Sequence, residues 1–266
     1  MDYFKKTRED LISQNYVKVE IGNVFEKMAD AMIEEINKNN ENNENTVFII
    51  PVGPTGQYPV FVKRLNAEEI SLKNTYFINM DEYMANETDL ISPDDKLSFV
   101  KFMNEEFYDK IDEKLRPDED HRIFPQPENP DAIGELIDKL GGVDICFGGI
   151  GITGHVAFNE PCDMPVEEFK NLKTRVIEIG SDTRVVNSIG ALGGAIIRMP
   201  KYAISLGFKE IFGAKKVILG VFRDWHRAVA RQVIYREISS QFPATILREH
   251  PDFTLIIDEN AAKCPY

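Results

Sequence analysis

An apolar run from Val143 to Phe147 leads directly into Gly148-Gly149-Ile150-Gly151-Ile152-Thr153-Gly154-His155-Val156-Ala157-Phe158-Asn159-Glu160-Pro161, and this stretch constrains the chain more than any other. The run carries no charge after Asp144 and reads as a buried strand. Four glycines then fall within seven residues, where backbone must turn sharply or lie close against something else. A histidine follows at once, and a glutamate five residues later stands between Asn159 and Pro161. A strand that ends in a glycine turn carrying ionisable side chains is how an α/β protein builds a site at the carboxyl edge of its sheet. A structural turn with a surface histidine is the alternative reading.

The rest of the chain supplies the partners such a sheet needs. Residues 1–15 are polar and mixed in charge, an N-terminal arm that is loose or forms a short helix, ahead of a single domain over 16–266. Tyr16 to Val19 alternates like a short strand, and Ile21, Val24, Phe25, Met28, Met32 and Ile36 recur at helical spacing over 20–38. The asparagine-rich tract from Asn39 to Asn45 has nothing to bury and reads as a solvated loop. Strands are expected at 46–52, 74–80, 174–179, 202–206, 215–222 and 254–257. Helices are expected over 58–65, from Ser92 to about Ile111, over 130–140 with a glycine stop at Gly141-Gly142, and from Arg223 to about Ser239. Four prolines between Arg116 and Asp131 mark an irregular connection. The stretch from Ser181 to Ala195, rich in glycine at its end, reads as a mobile lid or a static loop. Strand and helix patterns alternate with no linker or repeat, which predicts one doubly wound α/β domain with a mainly parallel sheet and helices on both faces.

Bulk properties narrow the function. A net charge of −13 over 266 residues argues against nucleic-acid binding, which needs a basic footprint. Three cysteines without a CxxC pair suit a reducing cytoplasm and offer no zinc cage, and four scattered histidines give no HExxH pattern, so neither metal nor other cofactor is expected. No apolar run approaches the ~20 residues of a membrane span, and the N-terminus lacks a signal-peptide core. The expected partner is a small molecule, and a homo-oligomeric assembly is compatible with the sequence.

Two further loops carry chemistry. Gly53-Pro54-Thr55-Gly56-Gln57 joins a strand to a helix, a geometry that aims backbone N–H groups and a helix dipole at an anion such as phosphate. It is neither a Walker loop nor a complete GxGxxG, and a plain βα turn is the alternative. Asp81-Glu82-Tyr83 ends an apolar strand, where a carboxylate can sit at the rim of a cleft with its pKa shaped by burial, or can serve as a helix cap.

Taken together, Asn79-Met80-Asp81-Glu82-Tyr83, the Gly-His-Val-Ala-Phe-Asn-Glu-Pro run at 154–161, Ser181-Asp182-Thr183-Arg184-Val185-Val186-Asn187-Ser188 and Met199-Pro200-Lys201-Tyr202-Ala203 resemble the glucosamine-6-phosphate deaminase (isomerase) family, which shares its fold with the 6-phosphogluconolactonases. The likeness covers nearly the whole chain from about residue 16. It implies a metal-free conversion of an amino-sugar phosphate to a ketose phosphate and ammonia. Asp81 would move a proton between C2 and C1, His155 would assist ring opening, and Glu160 would pair with it. One carboxylate shuttling a proton over one face of an enediol-like intermediate suits such an aldose–ketose shift, and histidine both takes and gives protons near neutral pH. Gly53, Thr55 and Gly56 would cradle the phosphate, with Arg184 and Arg227 as further anion-binding candidates.

The chain departs from the family pattern at three places. The Asp that usually precedes the motif histidine by two residues is Thr153, kept here among the substrate-contacting candidates; a hydroxyl can orient an imidazole but cannot stabilise an imidazolium as a carboxylate does. The family's phosphate-binding Arg falls on Ile189, and its Lys falls on Arg227, or on His226 if a one-residue insertion is placed differently. Arg198, just before Met199-Pro200, is a candidate replacement for the missing cation. The alternatives are action on a different sugar or sugar phosphate, a lactonase of the 6-phosphogluconolactonase type, and a non-catalytic sugar-phosphate sensor.

Overall fold

A computed structural model describes residues 2–266. The chain opens with α1 (Arg8–Ser13), which is started by a capping box between Thr7 and Asp10. Leu11 of this helix is buried in a core, and the Arg231 guanidinium, itself fully buried, binds the carbonyls of Lys6 and Ala262. Then follow β1 (Lys18–Ile21), α2 (Val24–Glu41), β2 (Thr46–Ile50), α3 (Gln57–Glu68), β3 (Thr75–Asn79), β4 (Asp81–Met84), α4 (Phe99–Glu106) and β5 (Arg122–Ile123). The second half contains α5 (Ala132–Leu140), β6 (Ile145–Gly149), α6 (Val166–Lys170), β7 (Arg175–Glu178), α7 (Ser181–Leu192), β8 (Tyr202–Ser205), α8 (Phe208–Phe212), β9 (Lys216–Val221), α9 (His226–Tyr235) and β10 (Phe253–Ile257).

Seven strands form one sheet in the order β1-β10-β9-β6-β2-β3-β5, with every pairing parallel. Its inner strands, such as β2 and β10, are largely apolar and buried because both faces are covered. On β2, Val47 and Ile49 enter one core while Phe48 and Ile50 enter the other. Alternate side chains of a strand point to opposite faces, so one run feeds two cores. The first core packs α5 and α9 through Ile133, Val229, Ala230, Val233 and Ile234. The second packs α2 and α3 through Met28, Met32, Ile36, Phe61 and Leu65. Helices therefore cover both faces, the doubly wound arrangement expected from the sequence.

The structure adds what periodicity did not show. A second, antiparallel sheet, β4-β8-β7, stands at the carboxyl end of the parallel one, over a small core of Tyr83, Leu97, Phe158, Ile179, Met199 and Ala203. Asp81-Glu82-Tyr83 is thus the start of a new strand rather than the frayed end of β3. The expected helix from Ser92 to Ile111 shrinks to α4, because Ser98 caps it and the buried Glu82 carboxylate accepts hydrogen bonds from the N–H groups of Phe99 and Val100. The stretch expected as a lid or loop after Ser181 is helical to Leu192, and only its Gly193-Gly194 exit has left-handed backbone. Helix α2 runs on to Glu41, taking in the first asparagines of the tract assigned to a loop, where Asn39 is buried and donates to Thr46 Oγ1.

Candidate active site

Apart from β1, which joins the far edge beside β10, the parallel strands grow outward in chain order in both directions from the β2–β6 pair. Loops leaving two strands that diverge in this way part from each other and open a crevice at the carboxyl edge. Neighbouring strands β6, β2 and β3 deliver three loops to that crevice: the glycine–histidine stretch, Gly53 to Gln57, and Asp81. The first two touch at their bases, since a Cβ on Gly149 would lie 2.8 Å from the Gly53 carbonyl oxygen. His226, at the start of α9, holds the floor in place. Its Nδ1 accepts from the N–H groups of Phe222 and Arg223, both at 2.8 Å, and its Nε2 donates to Ile150 O at 3.0 Å. Burial pushes its pKa down to about 3, so the ring is neutral and both nitrogens are taken. That leaves it no donor for a phosphate.

The two adjacent acids part company. Glu82 is buried and accepts from Tyr83 N, Phe99 N, Val100 N and Ser98 Oγ at 2.8–2.9 Å. It is the helix-capping acid, joining β4 to α4. Asp81 is 7% exposed and its carboxylate receives no hydrogen bond among the described residues. Burial, with Glu82 next to it, pushes its pKa up to about 8. A buried carboxylate left without donors at a sheet edge is a basic, reactive group rather than a structural one.

Across the crevice, His155 Nδ1 lies 2.9 Å from Thr153 Oγ1, 3.2 Å from Thr183 Oγ1 and 3.3 Å from Glu160 Oε2. Thr153 also donates to Glu160 Oε2 at 3.2 Å, and the Gly180 N–H donates to Oε1 at 3.3 Å. Burial opposes ionisation of Glu160, but the hydrogen bond and charge of His155, with the hydroxyls of Thr183 and Thr153, bring its pKa below the ordinary value. All polar neighbours of the imidazole sit on Nδ1, which leaves Nε2 unpaired among the described residues and able to exchange a proton with a ligand. The ring lies flat against Gly151, where a Cβ would come within 1.9 Å of Cε1. Gly151→Ala is therefore expected to displace the imidazole and lower turnover by about 10²-fold, the low end for losing a positioned acid–base group. A steady-state assay beside a thermal melt checks this; near-normal turnover would show that the ring position is not critical.

The loops carrying Asp81 and His155 are joined by Phe158. Its N–H donates to Ser205 Oγ at 3.0 Å, and Ser205 is the cross-strand partner of Asp81. Its ring packs on Tyr83, with centroids 5.6 Å apart.

The anion-binding candidates are less assembled. Gly53, Thr55 and Gly56 lie before α3, whose first turn has no side-chain cap. There Tyr58 N–H donates to Thr55 O at 3.1 Å and Pro59 has no N–H, so among the described residues Gln57 alone of the first three positions keeps an unpaired backbone N–H. Arg184 instead grips the carbonyls of Pro200 and Met199, both at 3.1 Å. Arg227 is held by Asn260, through its carbonyl and its Oδ1, and by Asp224. Ile189 is 65% exposed and faces solvent. Neither arginine is hydrogen-bonded to the glycine loop. Sequence reasoning also missed Thr183 and Asn187, the latter donating to Tyr83 OH at 3.1 Å; only the adjacent Asp-Thr-Arg motif pointed there. Depressions of about 440 and 700 Å³ lie elsewhere, at the amino ends of β1 and β10 and beside α9, and contain none of these residues. The one group of possible metal ligands among the described residues, Asp118, Asp120 and His121, precedes β5 at the opposite edge of the sheet.

Fold and site together define an α/β protein with a candidate acid–base site at the switch point of a parallel sheet. The chain is 34% identical to glucosamine-6-phosphate deaminase of Bacillus velezensis over 215 residues, 79% of this chain and 83% of that one. It is 30% identical to the Thermoanaerobacter pseudethanolicus deaminase over 92% of this chain and 94% of the relative. The chain belongs to the glucosamine-6-phosphate deaminase family. No family model matches it. Among solved structures, a monomeric glucosamine-6-phosphate deaminase of the NagB superfamily superposes with a TM-score of 0.80 at 27% identity, over 92% of this chain and 99% of that one. A 6-phosphogluconolactonase from Trypanosoma brucei shares the fold, with a TM-score of 0.64 at 16% identity over 92% of this chain and 97% of that one.

Proposed function

We propose that the chain converts glucosamine 6-phosphate and water to fructose 6-phosphate and ammonia, with no metal in the chemistry. The observation that carries this reading is the pairing of two different proton-handling groups across one crevice. One is Asp81, buried, without donors and raised to about 8; the other is His155, with every polar neighbour on Nδ1. His155 Nε2 takes the proton of the anomeric hydroxyl and returns one to the ring oxygen, opening the pyranose. Glu160 behind the ring favours the imidazolium formed in between. Asp81 removes the C2 proton of the open aldose, and the resulting enolamine is reprotonated at C1 by the same carboxyl group. Water then hydrolyses the C2 imine, and ammonia leaves. The raised basicity of Asp81 suits the weakly acidic C–H bond.

The phosphate sits on the loop of Gly53, Thr55 and Gly56, stabilised by the backbone N–H groups of Thr55, Gly56 and Gln57 and by the dipole of α3. Arg227 joins it by exchanging its Asn260 contacts for the anion, and Arg184 supports the far wall through Met199 and Pro200. Thr153 holds the imidazole and Glu160 together where the family commonly has a carboxylate.

Incubating the purified protein with glucosamine 6-phosphate, glucosamine, and other amino-sugar and sugar phosphates, while measuring ammonia and ketose, tests the reading. Ammonia and ketose should form in equal amounts from glucosamine 6-phosphate. Ketose without ammonia from a sugar phosphate lacking nitrogen would make the protein a plain isomerase. Binding with no turnover on any substrate would leave a sensor.

A further inference from the structure

Helix α7 reaches both halves of the site with one face. Thr183, in its first turn, lies at His155 Nδ1, and Asn187, four residues on, donates to Tyr83 OH two residues from Asp81. Residues four apart share a helix face, so both contacts depend on how the same helix is seated. Thr183 is buried, and among the described residues its hydroxyl has no partner other than His155 Nδ1, which itself faces Glu160. A buried hydroxyl is costly unless it is satisfied, which makes that contact its function as well as its anchor.

The hydrogen count specifies what the hydroxyl does. The proton of Thr153 is directed at Glu160 Oε2, so its lone pair faces His155 Nδ1 at 2.9 Å. Thr183 lies 3.2 Å from the same ring nitrogen, and the Glu160 carboxylate, whose Oε2 is 3.3 Å from Nδ1, can only accept. A hydroxyl has one proton to give and two lone pairs to receive with. Thr153, with its proton already given to Glu160, and the carboxylate itself can only receive from the imidazole, which places the proton on Nδ1 and leaves the Thr183 oxygen to receive from the same N–H.

We propose that Thr183 is a positioning residue that, with Thr153, holds His155 as the Nδ1–H tautomer, leaving Nε2 as proton acceptor and tying that tautomer to the seating of α7. The proposal rests on the ring-opening role of His155 stated above. It goes beyond it in making a helix, rather than the glycine loop alone, a determinant of which nitrogen reacts.

The test uses the full chain. In the substrate-free protein, nitrogen–proton correlation NMR of the imidazoles reports the tautomer of His155 directly. Wild type should show the Nδ1–H form. Thr183→Val, which keeps the side-chain shape, should show a mixture, and Thr183→Ser should restore the wild-type pattern. In the assay with glucosamine 6-phosphate, Thr183→Val should lower kcat about 3- to 10-fold, the size of one neutral hydrogen bond, with KM nearly unchanged and with rescue by Thr183→Ser. Thr183→Ala serves the same purpose if the valine is not accepted in the buried site. A pure Nδ1–H tautomer in the valine or alanine variant would overturn the proposal, as would unchanged kcat in an active enzyme. If no amino-sugar phosphate is turned over, the functional reading fails on its own, while the NMR result still decides the tautomer.

Discussion

Asp81→Asn is expected to lower ketose and ammonia formation by about 10²–10⁴ and to stop exchange of the C2 hydrogen with solvent, while substrate still binds. Asparagine matches the carboxylate in shape but cannot accept a proton. Persistent exchange at C2 in deuterated water would move the base to another residue. The raised pKa adds a pH signature. The ionised form is the base, so kcat/KM of the wild type should rise with pH through about 8. An acidic limb far below that value would show that substrate or a neighbour resets the group. Stability should run the other way. The folded state holds its proton on Asp81 more tightly than the unfolded chain, so this contribution is complete below about pH 4 and is lost as pH rises through about 8. Asp81→Asn should therefore melt higher than wild type at pH 8 to 9, by an amount worth on the order of a few kcal/mol, with the gap closing toward pH 4. A residue that weakens the fold in its working form is what a site selected for chemistry looks like.

The neighbouring acid should behave oppositely. Glu82→Ala is expected to cost roughly 3–5 kcal/mol of folding stability, because it strands the N–H groups of Tyr83, Phe99 and Val100 and the hydroxyl of Ser98 without an acceptor. Glu82→Gln should cost less, about 1–3 kcal/mol, since an amide presents only one oxygen to two pairs of donors. Urea denaturation of both variants measures this. A loss below about 1 kcal/mol for the alanine variant would mean that water satisfies the donors and that α4 does not depend on Glu82. The pair Asp81→Asn and Glu82→Ala thus separates catalysis from scaffold at adjacent positions.

Much of the fold was legible in the chain. The runs at 46–52 and 215–222, apolar after Thr46 and after Lys215-Lys216, can only be strands covered on both faces, and the structure places them as β2 and β9 inside the parallel sheet. The overrun of the helix after Ser92 came from reading apolar spacing without its caps. Leu97 and Ile111 do turn inward, but Ser98 and Glu82 decide where the helix starts. The stretch after Ser181 looked loose because of its glycines, yet these lie at its exit, and Thr183, Asn187 and Ser188 form an inward polar face that a hydrophobic pattern does not register.

The site was legible in its residue types and only partly in its roles. His155 follows a glycine turn that no larger residue could make, because the ring occupies the space of a Gly151 side chain, and that short-range steric demand is written in the sequence. The same holds for family membership, carried by contiguous motifs. What the sequence could not assign was the partner of each polar group. Asp81 and Glu82 are chemically almost alike; one is left buried without donors and the other is a cap because α4 folds back onto only one of them. His226 and Arg184, both plausible anion ligands, are spent on backbone carbonyls and N–H groups. Thr183 gained a role only when α7 was laid over the glycine–histidine loop. Periodicity and glycine sterics act within a few residues and are determined locally. Hydrogen-bond partners and desolvation depend on which distant segments the sheet order brings together, so only the tertiary structure decides them.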